Sequence, residues 1–440
     1  MNKRTSLLLP LLFLMAMAFN GCVQDQCEQT VTYLTYEPVY KSFEEIRAGV
    51  KSEAPRAVKN PSKIYFKDSF ILMSELNEGI HVIDNNDPRN PNPIAFIAIP
   101  GTRDIAARGN VLYADSYTDM VALDISNLQN VQILGRQENV FPYGSWHNGL
   151  WADPDKGIAI DWIEKEVTEV HECGNSGFNI LPQNMFTFNQ AVDLRADVLA
   201  SNSQLESSVP SGGGELTTGV GGSFARFAIT GNHLYTVTFS DMIVFDITDL
   251  SSPREVNRLG IGWDVETIWP KGDRLYIGTQ TGMLVFSIAN PEQPEWLTAV
   301  SHVQGCDPVV VGEDYAFSTI RDGRDCRSNT ATNSLFVIDI TPIESAFIAA
   351  EFPFTNPHGL GLRNDVLFLC DGADGLKIFD ASDPLKLNER QLAHFPDITA
   401  IDVIPLNNIL IMVAEEGLYQ YDYSDLNNIQ QISLIPVERD

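Results

Sequence analysis

The sequence predicts an all-β fold, a β-propeller of seven four-stranded blades, with eight blades as the alternative. One phrase recurs along the chain, an apolar strand that ends in a short polar residue and a turn, as in "GLKIFDASDP". Four of the six intervals between these anchor residues are 40 to 42 residues long, and the anchors are Asp84, Asp124, Asp246, Ser287, Asp339, Asp380 and Asp422. Around each anchor, short strand-like segments alternate with polar turns. Four strands in about 42 residues are typical of a propeller blade.

Residues 1–21 are predicted to be a signal peptide. Lys3 and Arg4 precede an apolar run from Leu7 to Phe19, which is too short to span a bilayer as a permanent helix. The following "FNGC" resembles the bacterial lipobox, and this resemblance implies that Cys22 is lipidated. An ordinary cleaved signal is the alternative. Several acyl chains on Cys22 would anchor the protein stably in a membrane.

The mature chain is predicted to have two parts, an N-terminal tether over residues 22–60 and the propeller over residues 61–440. The interval from Asp124 to Asp246 exceeds one repeat by about 80 residues, which predicts an insertion over about 138–222. Residues 201–222 are rich in Ser and Gly and predict a flexible loop. Residues 145–170 of the insertion are the candidate for a degenerate eighth blade.

The net charge of −29 limits the partners of the protein. Such a chain is repelled by nucleic acid and by anionic headgroups, so neither is expected to bind it directly. Membrane attachment is therefore expected through the N-terminal lipid. This places the protein outside the cytoplasm on an outer membrane, with the side of that membrane left open.

An exported chain meets oxidising conditions, which favour disulfides. Cys306 and Cys326 are the candidate pair. Cys27 with Cys173 is a weaker alternative, and Cys370 is interpreted as a buried small apolar residue. The chain has no CxxC motif, which would indicate a zinc or thiol redox site.

The strand-D-[IAV]-S-[DN]-P phrase after "DGADGL" resembles the LVIVD-repeat family of propellers. The segment "CEQTVTYLTYEPVYKS" is similar to the start of lipoproteins of this family from Bacteroidota. The resemblance implies a propeller and a lipid-anchored envelope protein. It implies no biochemical activity and no set of catalytic residues.

The repeated Asp is interpreted as a turn former, because a short carboxylate there accepts backbone N–H groups two residues on and every blade needs this turn. "DGADG" (371–375) has the look of a calcium loop, but it lacks the EF-hand spacing and the final Glu. "PYGSWHNG" is not a nucleophile elbow. No motif predicts a catalytic residue, a cofactor or a metal.

The first strands of the blades carry non-repeating polar residues that are expected to meet at the mouth of the central channel. These candidate ligand-binding residues are Arg103, Asp104, His147, Arg226, Glu266, Asp307, His358 and Asp402. Mutual pairing is the simpler interpretation, and a divalent metal on His358, Asp307 and Glu266 is the alternative. We expect a binding or scaffold module for an envelope protein or extracellular ligand, with a hydrolase or lyase at the channel mouth as the alternative.

Overall fold

The computed structural model describes residues 28–141, 151–172, 203–204, 217–306, 308–321 and 332–439. The chain divides into two compact units, of which the first contains residues 1–40 and 159–189. The second contains residues 41–158 and 190–440. The predicted signal peptide and Cys22 lie outside the described residues.

The first unit is built from two long strands, β1 (Glu28–Lys41) and β12 (Gly157–Glu172). They are neighbours in one sheet, and the short β11 (Ala152–Asp153), which belongs to the second unit, pairs with Gly157 and Ile158 at the start of β12. Thr32 and Thr168 face each other across β1 and β12 with their hydroxyl oxygens 3.1 Å apart. β-Branched and aromatic residues fill both strands, as the strand preference of these side chains requires.

The second unit begins with a short helix, α1 (Phe43–Ala48), and the strand β2 (Lys51–Glu53). Ser42 and Glu45 form a capping box that satisfies the first N–H groups of α1. Within the described ranges, no helix is long and apolar enough to cross a membrane.

Seven sets of four consecutive antiparallel strands follow, six as separate sheets and one within a seven-stranded sheet, and we number them as blades 1 to 7. Blade 1 is β3 (Pro61–Lys67), β4 (Phe70–Glu75), β5 (Gly79–Asp84) and β6 (Asn92–Ala98); blade 2 is β7 (Ile105–Arg108), β8 (Val111–Ser116), β9 (Asp119–Asp124) and β10 (Gln132–Gln137). Blade 3 is β15 (Phe227–Thr230), β16 (His233–Val237), β17 (Asp241–Asp246) and β18 (Arg254–Gly260); blade 4 is β19 (Val265–Lys271), β20 (Arg274–Thr279), β21 (Gly282–Ser287) and β22 (Glu295–Ser301).

Blade 5 is β23 (Val309–Val311), β24 (Tyr315–Ile320), β25 (Ser334–Asp339) and β26 (Phe347–Pro353); blade 6 is β27 (Leu360–Arg363), β28 (Val366–Cys370), β29 (Leu376–Asp380) and β30 (Gln391–Phe395). Blade 7 is β31 (Ala400–Pro405), β32 (Ile409–Ala414), β33 (Gly417–Asp422) and β34 (Gln430–Pro436). Two short 3₁₀ helices, Ile343–Ser345 and Pro384–Glu389, lie between the third and fourth strands of blades 5 and 6.

Three further strands extend the sheet of blade 1. β2 pairs with β6 at the outer edge, whereas β14 (Val220–Ser223) pairs with β3 at the inner edge. β13 (Ser203–Gln204) pairs with β14. The predicted propeller with seven four-stranded blades is therefore confirmed, and the insertion contributes strands to blade 1 instead of forming an eighth blade in the described residues.

The seven first strands form a closed ring. Each contacts the first strand of the next blade, and β31 of blade 7 contacts β3 of blade 1. Asn85 and Gln420 close the ring with a reciprocal pair of buried amide hydrogen bonds of 2.9 and 2.8 Å. Val58, just before blade 1, bridges to Val437, just after blade 7. These contacts join the first and last blades.

Apolar clusters fill every boundary between neighbouring blades. One cluster lies between blades 1 and 2, and others lie at the successive boundaries round to the one between blades 7 and 1. The core is thus a ring of interfaces built from the alternating inward residues of adjacent sheets. Ile80, Leu123 and Val285 in third strands are fully buried in these clusters.

The seven anchor residues all end the third strand of a blade and all form the same turn. In each, the side-chain oxygen accepts the backbone N–H two residues on, from 3.0 Å at Asp84 and 2.8 Å at Asp124 to 3.2 Å at Ser287. The same bond recurs at Asp246, Asp339, Asp380 and Asp422. The interpretation of the repeated Asp as a turn former is confirmed.

Because neighbouring strands in each blade run in opposite directions, the turns and links lie on two opposite faces of the ring. The turns from first to second and from third to fourth strands lie on one face, which we call the turn face because it carries the seven anchors. The hairpins from second to third strands and the links between blades lie on the other, which we call the linker face. The first strand of each blade therefore starts at the linker face.

Candidate functional site

Residues 217–226, which we call the plug segment, run along the inside of the ring against the first strands. Val220 and Gly221 pair with Phe66 and Tyr65 of blade 1, and the Gly219 N–H donates to Ala107 O of blade 2 at 3.2 Å. Because β14 is antiparallel to β3, the plug segment runs from the turn face to the linker face.

The plug segment also bonds to three more blades. Ala225 O accepts the Ile268 N–H of blade 4 at 2.8 Å. Ser223 Oγ accepts the Leu360 N–H of blade 6 at 2.8 Å and donates to Asp402 Oδ1 of blade 7 at 2.9 Å. One short segment therefore ties together the first strands of blades 1, 2, 4, 6 and 7.

Glycines allow the plug segment to pack this closely. A Cβ on Gly222 would lie 1.8 Å from Asp402 Oδ2, and a Cβ on Gly219 would lie 2.1 Å from a ring carbon of Tyr65. The prediction of a flexible loop over 201–222 is wrong over residues 217–222, because these glycines serve close approach of the backbone rather than mobility.

A buried ion pair faces the plug segment. Lys63 Nζ lies 2.9 Å from Asp104 Oδ2 and donates to Phe224 O at 3.3 Å, and both charged side chains are buried. The Arg226 N–H donates to the same Asp104 oxygen. Burial lowers the pKa of Lys63, although the Asp104 carboxylate opposes this shift. Asp104 thus binds the plug segment directly and through Lys63.

Arg226 links blade 2 to blade 4. Its guanidinium Nε donates to Glu266 O at 3.3 Å, and the Glu266 carboxylate accepts from Gln280 Nε2 at 2.9 Å. Burial, followed by the charge of Arg103, lowers the pKa of Arg226. The structure therefore brings three of the predicted site residues, Asp104, Arg226 and Glu266, into one connected group.

Arg103 lies beside this group and is held by its backbone. The Arg103 and Asp104 N–H groups donate to Asp115 Oδ1 at 2.6 and 3.0 Å. Burial raises the pKa of Asp115. The Arg103 side chain points to Asn77, with Nε 3.5 Å from Asn77 Oδ1.

Asp402 binds Ser223 of the plug segment. Its Oδ1 accepts the Ser223 N–H at 3.1 Å as well as the Ser223 hydroxyl, whereas its Oδ2 has no hydrogen-bond partner among the described residues. Gly222 and Gly359 pack against this fully buried carboxyl from two sides. Burial raises the pKa of Asp402 to about 7.

His358 lies one residue before Gly359. Its backbone N–H donates to Cys370 O at 2.7 Å, its carbonyl accepts the Thr319 hydroxyl, and its Nε2 lies 3.1 Å from Asn356 Nδ2. Burial and the positive charge of Arg321 hold the pKa of His358 well below its usual value. The imidazole is therefore neutral at physiological pH.

The remaining predicted residues have different outcomes. Two candidate ligand-binding residues, His147 and Asp307, lie outside the described residues. Four of the cysteines also lie outside them: Cys22, Cys27, Cys173 and Cys326. Cys306 is disulfide-bonded, and its pairing with Cys326 stays a prediction. Cys370 is a free thiol, fully buried as expected.

Carboxylates in the described ranges do not assemble into a metal centre. No group of three or more His, Cys, Asp or Glu side chains is placed there to hold a metal ion. In "DGADG", Asp371 and Asp374 each lie 2.6 Å from Lys377 Nζ, and Asp371 also accepts the N–H groups of Thr355 and Asn356. Asp371 and Asp374 therefore stabilise the hairpin between β28 and β29 through Lys377 and backbone N–H groups.

Sequence reasoning missed the residues that make the plug segment work. Lys63 is a buried charge in a first strand, Asp115 is a partly buried carboxylate in a second strand, and Ser223 bridges blades 6 and 7. The signal was the "GVGGSFAR" run, in which small residues precede an Arg and an inner strand. We interpreted its glycines as loop residues, although glycines also allow close backbone approach.

A second feature lies on the linker face, where we define the aromatic patch as Phe239, Trp263, His302 and Val303. Trp263 is 75% exposed and meets Phe239 edge to face, with ring centroids 5.8 Å apart. Val303 is 44% exposed, and the His302 ring stacks on Phe336.

Backbone hydrogen bonds hold the aromatic patch together across two blade links. The hairpin of blade 4 bonds to both links, since Gln280 N–H donates to Asp264 O at 3.0 Å and Thr281 O accepts the His302 N–H at 3.1 Å. Gly262 and Asp264, on either side of Trp263, both have positive φ angles of 119° and 59°. The sequence places Trp263 at the tip of a tightly folded link.

The structure defines the protein as a seven-bladed β-propeller. Its chain carries LVIVD repeats: the family model of the LVIVD repeat matches residues 101–137 and 221–259, which correspond to blade 2 and to the end of the plug segment with blade 3. The resemblance to the LVIVD-repeat family is confirmed at these two places.

Three solved structures with a similar fold are 7% to 12% identical to this chain. A protein from Lactobacillus plantarum is 10% identical, with a TM-score of 0.49, over 78% of this chain and 87% of that one. BamB from Moraxella catarrhalis is 7% identical, with a TM-score of 0.46, over 90% and 97%. PorZ from Porphyromonas gingivalis is 12% identical, with a TM-score of 0.46, over 88% of this chain and 40% of PorZ. No curated protein matches the sequence.

Proposed function

We propose that the protein is a lipid-anchored extracytoplasmic binding module that recognises a partner protein through the aromatic patch. The observation that carries this proposal is the plug segment, because it favours a binding module over an enzyme with its active site at the channel mouth. A hydrolase or lyase at the channel mouth would need its polar side chains to converge on open space. Asp104 and Asp402 contact the plug segment instead, and Arg226 belongs to that segment and bonds to Asp104 and Glu266, so their chemistry is used inside the propeller.

The aromatic patch has the properties of a recognition surface. Exposed Trp side chains are enriched among residues that dominate protein–protein binding energy. Trp263 exposes most of its surface on a link whose backbone is fixed, so little conformational entropy is lost when a partner covers it.

Site-specific photocrosslinking tests the aromatic patch. A benzophenone amino acid replaces Trp263 in the full chain, expressed in the native host, and the envelope is irradiated. We expect a discrete covalent adduct with one protein. The matched control carries the same group at Trp296, which is 55% exposed on the outer strand β22. No adduct at position 263, or the same adducts at both positions, would contradict the proposal.

The lipid anchor is tested separately with Cys22→Ala. We expect the wild-type chain in the membrane fraction and the variant in the soluble fraction, because removal of the acyl chains removes the only proposed source of membrane affinity. Unchanged fractionation would overturn the anchor and leave the proposal for the aromatic patch intact.

A further inference from the structure

The first unit contains a surface of its own, which we call the ribbon and define as residues 30–40 of β1 and 160–170 of β12. β12 lies between β1 and β11, but β11 pairs only with Gly157 and Ile158. Within the described residues, the rest of β12 and the outer side of β1 therefore have edges without a neighbouring strand. Such edges present rows of N–H and C=O groups that can pair with another chain.

Cross-strand side-chain contacts fix the register of the ribbon. Thr32 and Thr168 contact through their hydroxyls, and the Tyr36 hydroxyl donates to Glu164 at 3.2 Å. Lys165 forms an ion pair with Glu37. These contacts define two strands in a single alignment, so the free edge of β12 has a fixed pattern of side chains.

The ribbon keeps its apolar side chains uncovered by the described residues. None of residues 30–40 or 160–170 is buried. Ile163, Val170 and Leu34 are 60%, 59% and 48% exposed. An isolated two-stranded ribbon is marginally stable in water, and exposed apolar surface of this kind marks interaction sites. A further strand would stabilise the ribbon.

Charge decides what kind of strand fits. The ribbon has five carboxylates and one ammonium group, which gives a net charge of −4, and the carboxylates are Glu37, Asp161, Glu164, Glu166 and Glu169. A second copy would bring another −4 to the same contact, from a chain whose net charge is −29. Like charges disfavour a second copy, and complementary charge favours a basic segment.

We propose that the ribbon is a docking site for an extended, basic segment of a partner protein, which adds as a strand to the free edge of β12. Four of the five carboxylates lie on β12, with Glu164 and Glu166 on one face and Asp161 and Glu169 on the other, so basic side chains on either face of an added strand would meet a pair of them. Main-chain hydrogen bonds would provide affinity, and the alternating side chains would provide specificity. This site is independent of the aromatic patch.

The test uses the full chain in detergent and a fluorescent decapeptide of alternating Lys and Val. We expect the peptide to bind, with fluorescence anisotropy as the readout. The variant Glu164→Gln/Glu166→Gln/Glu169→Gln should bind it about tenfold more weakly, which corresponds to about 1.4 kcal/mol. The matched control Glu292→Gln/Glu295→Gln/Glu344→Gln removes the same charge from exposed positions of the second unit and should bind within about twofold of the wild type.

A second peptide separates strand pairing from charge. The same sequence with alternate backbone amides methylated keeps every charge but cannot form a strand ladder, and we expect about tenfold weaker binding. Equal losses in the two triple variants would assign binding to the general charge of the chain and overturn the proposal. Equal binding of the methylated peptide, or a dimer in sedimentation velocity that the ribbon variant dissociates, would also overturn it.

Discussion

The anchor carboxylates on the turn face and the carboxylates around the plug segment place the same chemical group in two opposite environments. The anchors are only partly buried, and hydrogen bonds from the hydroxyl and the backbone N–H of the residue two positions on hold the pKa of Asp124, Asp246, Asp380 and Asp422 below the usual value. Asp402 is buried against the plug segment, and Asp115 is partly buried against the backbone of Arg103 and Asp104; burial raises the pKa of both carboxyl groups.

This difference shows how to distinguish residues that maintain the repeated fold from residues that serve a feature found only once in the protein. A carboxylate that recurs in every blade performs a task that every blade needs, which here is a turn. A carboxylate that occurs once meets a feature that occurs once, which here is the plug segment. The predictions that follow test whether the stability of the propeller depends on the second group more than on the first.

The largest effect is expected for Lys63→Met. The substitution leaves Asp104 as a buried charge without its ammonium partner, and we expect a loss of about 3–5 kcal/mol in the free energy of unfolding. Urea unfolding of the full chain, followed by tryptophan fluorescence, provides the measurement. The side chain of Met has nearly the length of Lys, so lost packing contributes little.

Lys51→Met is the matched control for this variant. Lys51 forms an ion pair with Glu53 in β2, and the two side chains are 62% and 36% exposed, so the loss of this pair should change the free energy of unfolding by less than about 1 kcal/mol. If both Lys→Met variants lose the same free energy of unfolding, the buried Lys63–Asp104 ion pair stabilises the propeller no more than the Lys51–Glu53 pair does, and the prediction is wrong.

The second effect is a pH dependence that Asp402 introduces. Its pKa is about 7 in the folded chain and 3.8 as the reference value. As pH rises from about 4 to 7, the unfolded chain loses this proton before the folded chain does, so stability falls with rising pH. At about 1.4 kcal/mol per pKa unit, the loss approaches about 4 kcal/mol above pH 7. In Asp402→Asn this loss is absent, so the variant gains stability relative to the wild type as pH rises.

Asp246→Asn is the matched control and should show the opposite sign. The Thr248 hydroxyl and N–H and the Arg254 guanidinium hold the pKa of Asp246 at about 2, so its ionised form stabilises the folded chain and this contribution is lost as pH falls. Urea unfolding of the three proteins between pH 4 and pH 8 makes the comparison. A pH-independent difference between Asp402→Asn and the wild type would refute the assignment of a buried, protonated carboxyl.

The repeat period predicted the blades because each blade is one unit of local sequence. The four-strand pattern, the anchor turns and the count of seven all depend on residues within about 42 positions of one another. Even the substitution of Ser287 for Asp was interpretable, since a hydroxyl accepts the same N–H group. Local patterning of this kind is what sequence reasoning captures best.

The plug segment could not be predicted in the same way. Its partners are Tyr65, Ala107, Ile268, Leu360 and Asp402, which are scattered along the chain and belong to five blades. No periodicity links them, and a Gly-rich run is as typical of a mobile loop as of close packing. The sequence marks Asp104, Arg226 and Asp402 as unusual polar residues, but only the structure shows that Arg226 belongs to the plug segment and that Asp104 and Asp402 bind this segment.

The smallest effect is expected at a single anchor. Asp124 accepts the Ser126 N–H at 2.8 Å, and Asp124→Ala removes this bond at a partly exposed turn, for an expected loss of about 1 kcal/mol. Asp124→Ser should recover most of it, because Ser287 closes the same turn in blade 4 through its hydroxyl. Urea unfolding of both variants measures the difference. If Asp124→Ala instead costs as much as Lys63→Met, the anchors carry more of the stability of the ring than a local turn can explain, and the distinction between repeated and unique carboxylates fails.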